Sequence, residues 1–358
     1  MRKIFTFSLV IFTAVSLFAQ IPAGYYNSAN GFTGYTLKDK LRAIITNGHQ
    51  DKGYNGLWTA YQTTDRDYYY ENNGRILDMY SENPIGPDPY QFVLNTDQCG
   101  NYSNEGDCYN REHIVPQSLF DENAPMKHDV HFIPPTDGKV NGMRSNYPFG
   151  IVASPTWTSL NGSKLGNNST GSYSGTVFEP INEFKGDIAR MIFYFVTRYQ
   201  NQIPSFSTGN MLDGTTTKSL AQWELDILLL WHNADPVSQR EIDRNNACYT
   251  WQGNRNPYID HPEYVQQIWG TSALYTIEIK NSKGFSVYPN PVKNNEIFVT
   301  KNSEISKISK AEIYDVTGIL VQVLDKPFKN GNKIILRDLP KGNYILKLDE
   351  NSTKFILE

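Results

Sequence analysis

The residue types that can do chemistry crowd into one stretch of this chain. Asn110-Arg111-Glu112-His113-Ile114-Val115-Pro116 sets a guanidinium, a carboxylate and an imidazole side by side. Further on, the apolar run His131-Phe132-Ile133-Pro134-Pro135 leads into Asp137-Gly138-Lys139-Val140-Asn141-Gly142-Met143-Arg144. A neutral imidazole, with an ordinary pKa near ~6.5, can take a proton from water at working pH. Carboxylate and amide oxygens are hard donors that suit a cation such as Mg2+, which keeps waters and phosphate oxygens as its other ligands. An Arg-Glu-His triplet alone is a weak signal, and its bland reading is the end of a surface strand. A rival reading joins His113 to His128, Asp129 and His131 as a zinc cluster. Against that reading, His131 is expected to bond backbone and His128 to be exposed.

Two short strands and a helix are needed to bring the first set together. Asn141 and Arg144 are three residues apart and share a helical face, and Asp137 stands where an N-cap belongs. A strand through Glu112, a second strand after His131 and a crossing helix would place Glu112, His113 and Asn141 around one small cavity. Around this core, apolar periodicity predicts a helix over 37–47 on Leu37, Leu41, Ile44 and Ile45. A second helix is predicted over 182–199, capped by Asn182, with a stripe of Ile188, Met191, Ile192, Phe195, Val196 and Tyr199. A third runs from Ser219 to about Asn233, on Leu220, Trp223, Ile227, Leu230 and Trp231. Alternation over 68–80 reads as strand. The aromatics on the helices read as core, not as a cofactor box.

Composition shifts after about Thr271. The last eighty or so residues lack Cys, His and Trp and read as short alternating strands separated by turns such as Thr317-Gly318 and Lys341-Gly342. That pattern is a small β-sandwich. The whole is therefore α+β followed by an all-β domain, with boundaries at 1–19, 20–272 and 280–358.

The segment 1–19 has Arg2 and Lys3 ahead of an apolar run from Ile4 to Phe18 and a small residue, Ala19, before a cut. This is the pattern of a signal peptide, and the run is short for a membrane anchor. No later stretch could span a bilayer, so the mature chain is expected outside the cell. Export permits disulfides. Cys99 and Cys108 close a short polar loop and are expected to pair, which leaves Cys248 buried and free. The chain carries a net charge of −4. Its distribution is uneven: −9 from Gln20 to Thr276 and +3 from Ile277 onward. An acidic core counts against tight non-specific DNA binding and makes a divalent cation more welcome.

The runs CYNREHIVPQS and HFIPPTDGKVNGMRSN resemble the endonuclease I family of exported bacterial nucleases, of the ββα-metal or His-Me finger superfamily. The likeness continues through FEPINEFKGDIARMIFYFVTRY and LLLWHNADPVSQREIDRNNACYTWQGNRNPYIDHPEY, covering most of 30–270. The resemblance implies a ββα-metal core with surrounding helices. It implies His113 as general base, Glu112 as carboxylate metal ligand and Asn141 as the helix amide that completes the protein's coordination. It offers Arg144 as a phosphate clamp. Mg2+, Ca2+ or Mn2+ would be the cation, and DNA, with RNA as a second substrate, would be cut with little sequence specificity to 5′-phosphate ends. The stretch between His113 and His131 is short here, so the resemblance does not carry over a clamp that some relatives supply from further basic residues there. The motifs VYPNPVKN, AEIYDVTG and LPKGNYILKL resemble the C-terminal sorting domain of type IX secretion. They imply passage through the periplasm to the surface or the medium. The chain is expected to be a monomer. Two other classes stay open: a zinc hydrolase of another phosphodiester, and a non-enzymatic surface protein on a nuclease fold.

Overall fold

The computed structural model describes residues 21–270, 285, 287–300, 305–315, 320–329, 331–349 and 351–357. The signal peptide expected over 1–19 lies outside the described residues. The chain divides into two compact units, Met1–Ile277 and Glu278–Glu358.

In the first unit, helices α1 (Gly34–Thr46) and α2 (Gly56–Thr64) precede a long irregular stretch. Strands β1 (Tyr109–Arg111) and β2 (Pro135–Asp137) follow and pair antiparallel, Asn110 opposite Thr136. Helix α3 (Gly138–Arg144) leaves β2 without a loop. A three-stranded sheet comes next: β3 (Val152–Thr158), β4 (Lys164–Asn168) and β5 (Thr176–Glu179). Helices α4 (Lys185–Arg198), α5 (Gln222–Ala234), α6 (Gln239–Gln252), α7 (Pro257–Asp260) and α8 (Glu263–Trp269) complete the unit. One apolar cluster unites α1, α4, α5 and the strands, including Leu41, Ile114, Val140, Phe178, Phe195 and Leu228.

The predicted helices α1 and α5 are present with shifted ends, α5 starting after Ser219 and Leu220. The helix predicted over 182–199 differs in kind. Its first turn is a separate 3-10 turn, Asn182–Phe184, and α4 follows it. Asn182 does not cap; its Oδ1 accepts from Lys185 Nζ at 2.8 Å. Every residue from Gly186 to Arg198 is buried, so α4 is a central helix covered on all sides and not an amphipathic one. Its charged groups are paired there: Arg190 donates to both oxygens of Glu241 at 2.5 and 2.8 Å.

The strand expected over 68–80 does not form. Asp67 instead takes the N–H groups of Tyr69, Tyr70 and Glu71, each at 3.0 Å, and Asp78 takes that of Tyr80 at 2.8 Å. Aspartate side chains that satisfy nearby backbone donors replace a strand ladder with turns. One antiparallel bridge, Arg66 with Ile76, is what remains of the alternation.

The second unit is all-β. Strands β6 (Val287–Tyr288), β7 (Glu296–Val299) and β10 (Lys333–Ile335) form one antiparallel sheet in the order β10-β7-β6. Strands β8 (Lys310–Asp315), β9 (Leu320–Asp325), β11 (Gly342–Leu348) and β12 (Asn351–Leu357) form another, in the order β12-β11-β8-β9. Alternate residues such as Ile297, Val299, Ile313, Leu346 and Phe355 make its separate core.

Candidate active site

The β1–β2 ladder continues past its formal ends. Glu112 N–H donates to Pro134 O at 2.9 Å and Ile114 N–H to Phe132 O at 3.2 Å. Glu112 and His113 thus sit on a fixed strand edge, and α3 follows β2 directly. Asp137 caps that helix, its carboxylate accepting from Val140 N–H at 2.8 Å.

Glu112 is buried. Its Oε1 accepts from Tyr80 Oη at 2.9 Å and from Arg144 Nη1 at 3.1 Å. Burial raises its pKa, and Arg144 and Tyr80 pull it back. Among the described residues no donor bonds its Oε2. Asn141 is half-buried and donates Nδ2 to Asn110 Oδ1 at 2.7 Å. That bond fixes the amide with Oδ1 as the oxygen left over. The two side chains thus keep one oxygen each unspent, a donor set that suits a hard cation.

His113 is oriented by the backbone. Its Nε2 lies 3.3 Å from the carbonyl of Lys127. A carbonyl only accepts, so Nε2 carries the proton and Nδ1 keeps the lone pair. Burial, with Arg144, Arg111 and Lys127 nearby, lowers its pKa to about 3, so the ring is neutral.

Arg144 corrects an expectation. It is 1% exposed. Its Nε donates to Tyr147 O at 3.1 Å and its Nη1 to His113 O at 2.6 Å as well as to Glu112, while Nη2 donates to Ile114 O. A guanidinium spent on Glu112 and three carbonyls is a strut beneath the strand, not a clamp offered to phosphate.

The zinc cluster does not assemble either. His128 Nδ1 pairs with Asp51 at 2.8 Å, and His131 Nε2 donates to Asn254 O at 2.9 Å. Asp129 accepts from Tyr194, Tyr199 and Gln252 at 2.8, 2.7 and 2.7 Å. Each group has its own partner. The group of three metal-type side chains found among the described residues is a different one, Glu71, Glu82 and Asp88. His131 does bond backbone. His128 is half-buried rather than exposed, with its ring stacked on Tyr54.

Sequence reasoning missed several residues here. Tyr80 reaches Glu112 from the irregular stretch, where the alternation read as a strand gave no sign of that contact. Arg111 lies over the rings of Tyr54 and Trp58, its guanidinium carbon 3.4 and 4.4 Å from their centroids. Tyr54 in turn faces His113, ring centroids 6.0 Å apart. Arg111 was visible as part of the triplet, but nothing in the sequence tied it to Tyr54. Cys99 and Cys108 are joined as expected, and Cys248 is free and buried.

The family model described as Endonuclease I matches residues 33–263, and that described as secretion system C-terminal sorting domain matches residues 286–358. The chain is 32% identical over 250 residues to an extracellular ribonuclease of Bacillus amyloliquefaciens, covering 68% of this chain and 78% of that protein. It is 33% identical over 249 residues to an extracellular ribonuclease of Bacillus subtilis (strain 168), with coverage of 68% and 78%. An Endonuclease-1 of Buchnera aphidicola subsp. Acyrthosiphon pisum is 28% identical over 175 residues, covering 41% and 58%. No helix among the described residues is long and apolar enough to cross a membrane. The sorting domain and the extracellular relatives mark a secreted or cell-surface protein. With its first unit matched along 33–263 and its second along 286–358, the chain belongs to the endonuclease I family of nucleases and carries a C-terminal type IX secretion sorting domain.

Proposed function

We propose that the chain is a divalent-metal-dependent endonuclease of the ββα-metal (His-Me finger) type, with His113 as general base and Glu112 and Asn141 as the protein's metal ligands. The observation that carries the reading is the orientation of His113. Lys127 O holds Nε2–H, so the Nδ1 lone pair is kept for a water proton, beside a carboxylate with one oxygen unspent. Glu112 Oε2 and Asn141 Oδ1 would hold the cation, Mg2+ being the ion that best suits so few protein ligands. When bound, such an ion stabilises charge on phosphate and leaving oxygen. The chain's own residues do the rest. Nδ1 accepts the proton from the attacking water. Arg144 and Tyr80 fix the rotamer of Glu112, and Asn110 fixes that of Asn141. Arg111, stacked on Tyr54 and Trp58, and Lys127 supply positive charge near His113 in place of the clamp once expected of Arg144.

The substrate is DNA, with RNA as a second substrate. The name ribonuclease of two relatives supports RNA, and the name Endonuclease-1 supports endonucleolytic cutting without stating which nucleic acid. Backbone-led binding with little sequence preference follows from contacts to phosphate. The test is plasmid nicking and RNA cleavage by the secreted protein with and without chelator. Cleavage that survives exhaustive chelation rejects the metal, and products that resist ligation until 5′-phosphorylated reject the proposed ends.

A further inference from the structure

A second concentration of carboxylates lies outside the Glu112–His113–Asn141 set, in the irregular stretch between Arg66 and Phe92. Glu71, Glu82 and Asp88 each turn an oxygen to one point, and these oxygens all lie within 4.8 Å of one another. Among the described residues no Lys, Arg or His pairs with any of the three. Asp67 and Asp78 add negative charge nearby.

Glu82 is the telling member. It is 2% exposed, and its Oε1 is buried without a hydrogen-bond partner. Glu71 Oε2 is buried and unpartnered as well. A buried carboxylate without a partner is costly. The cost is not forced by poor backbone chemistry, because the neighbouring aspartates are well served. Asp67 accepts three backbone N–H groups, and Asp88 accepts Asn83 N–H at 2.8 Å. The turns hold three acids in place and leave Glu82 Oε1 and Glu71 Oε2 without a donor, while Asp88 Oδ2 takes only a long bond from Gln91 Nε2 at 3.4 Å.

We propose that Glu71, Glu82 and Asp88 form a calcium site separate from the catalytic centre. The ligands are oxygens only. Ca2+ takes oxygen at about 2.3–2.6 Å, so ligands across one ion stand up to about 5 Å apart, and the observed spread falls inside that limit. Mg2+ needs about 2.0–2.1 Å and near-ideal octahedral geometry, a tighter demand on three acids from separate turns. Extracellular modules bind Ca2+ at about 10⁻⁴–10⁻³ M, the range suited to an exported protein.

The same stretch carries two residues that brace the ββα element. Asp78 accepts Asp137 N–H at 2.9 Å, and Tyr80 donates to Glu112. Calcium at the cluster would tie the turns from which both residues reach inward. The rival state is a stored proton, since burial and then Asp88, Glu71, Asp67 and Asp78 push Glu82 up to about 9.

The experiment titrates CaCl2 into the full mature chain by calorimetry and follows Tm. Four proteins are compared: wild type, Asn141→Ala, Glu82→Gln and Asp88→Asn. Wild type and Asn141→Ala should each bind a calcium ion that raises Tm. Glu82→Gln and Asp88→Asn should each lose that ion, or bind it at least tenfold more weakly, and lose the rise. MgCl2 at equal concentration should not replace it. Should Glu82→Gln not fold, the half-buried Asp88→Asn decides alone. Calcium binding and Tm response unchanged in the folded variants, or no calcium bound by wild type, overturns the site and leaves the stored proton. Because the readout is binding and Asn141→Ala lacks a catalytic ligand, failure here is distinct from failure of the catalytic reading.

Discussion

Arg144 Nη1 stands 3.1 Å from Glu112 Oε1 with both side chains sealed from solvent. The same guanidinium serves the carbonyls of His113 and Ile114, so one residue of α3 fixes both the carboxylate and the strand beside it. Arg144→Ala strips a buried acid and three carbonyls of their donor. A stability loss of about 3–5 kcal/mol is expected, seen as a lower urea midpoint. Arg144→Lys should restore little, because an ammonium lacks the planar fork. A folded, stable Arg144→Ala with only a weaker KM would return Arg144 to phosphate binding.

His113→Ala should fold and still bind metal, yet lose about 10²–10⁴-fold in rate, the usual worth of a general base. Plasmid cleavage within a few-fold of wild type would remove His113 from that role.

Asn141→Ala should act through the cation. Removing Oδ1 leaves one protein ligand, so the Mg2+ concentration for half-maximal rate should rise, and excess Mg2+ should recover part of the activity. An unchanged metal titration places the ligands elsewhere.

Buried neutral histidines set an acid limit on stability. Burial lowers His232 to about 4, with Arg190 adding to the effect, and lowers His131 to about 4. Each folded pKa lies below the unfolded value near ~6.5. Above that value both states are neutral and nothing is lost. As pH falls from about 6.5 towards 4 the unfolded chain takes up protons that the folded chain refuses, so stability drops. One such residue is worth on the order of 3 kcal/mol at pH 4. His232 Nε2 donates to Pro262 O at 3.1 Å. His232→Gln can keep a donor there, and its stability should fall less steeply between pH 6.5 and 4 in urea titrations. An unchanged slope would exclude His232 as a contributor.

A chain ending at Ile277, where the first unit ends, should keep full cleavage and an unchanged salt dependence. If the basic second unit contributed phosphate contacts, truncation would flatten the log–log salt slope by about 0.9 per lost contact on duplex DNA. In cells of the source type the truncated protein should collect in the periplasm.

What the sequence made legible follows from how local each signal is. The α1 and α5 stripes, the Asp137 cap and the strands of the second unit depend on spacing within one element. That Glu112 and Asn141 stand on joined elements was reachable because β2, which pairs with β1, runs straight into α3. The burial of Arg144 was not legible because a lone arginine looks the same in sequence whether it faces solvent or three carbonyls. The 68–80 stretch was misread because alternation says nothing of Asp67 and Asp78 capturing the backbone. Tyr80 and Tyr54 meet the site only through tertiary contacts between distant segments, and the stacking of Arg111 on Tyr54 is another such contact.

The Cys99–Cys108 loop lays Tyr102 against α3. A Cβ on Gly138 would come 2.6 Å from the Tyr102 ring, and one on Gly142 would collide with its hydroxyl end. Cys108 O also accepts Gly138 N–H at 2.9 Å, at the start of the helix that bears Asn141. The loop is thus a lock on that helix, and the lock is closed by oxidation. In the reducing cytoplasm its thiols stay open. The tie that holds this loop against the helix of Asn141 is thus one that can form only outside the reducing cytoplasm.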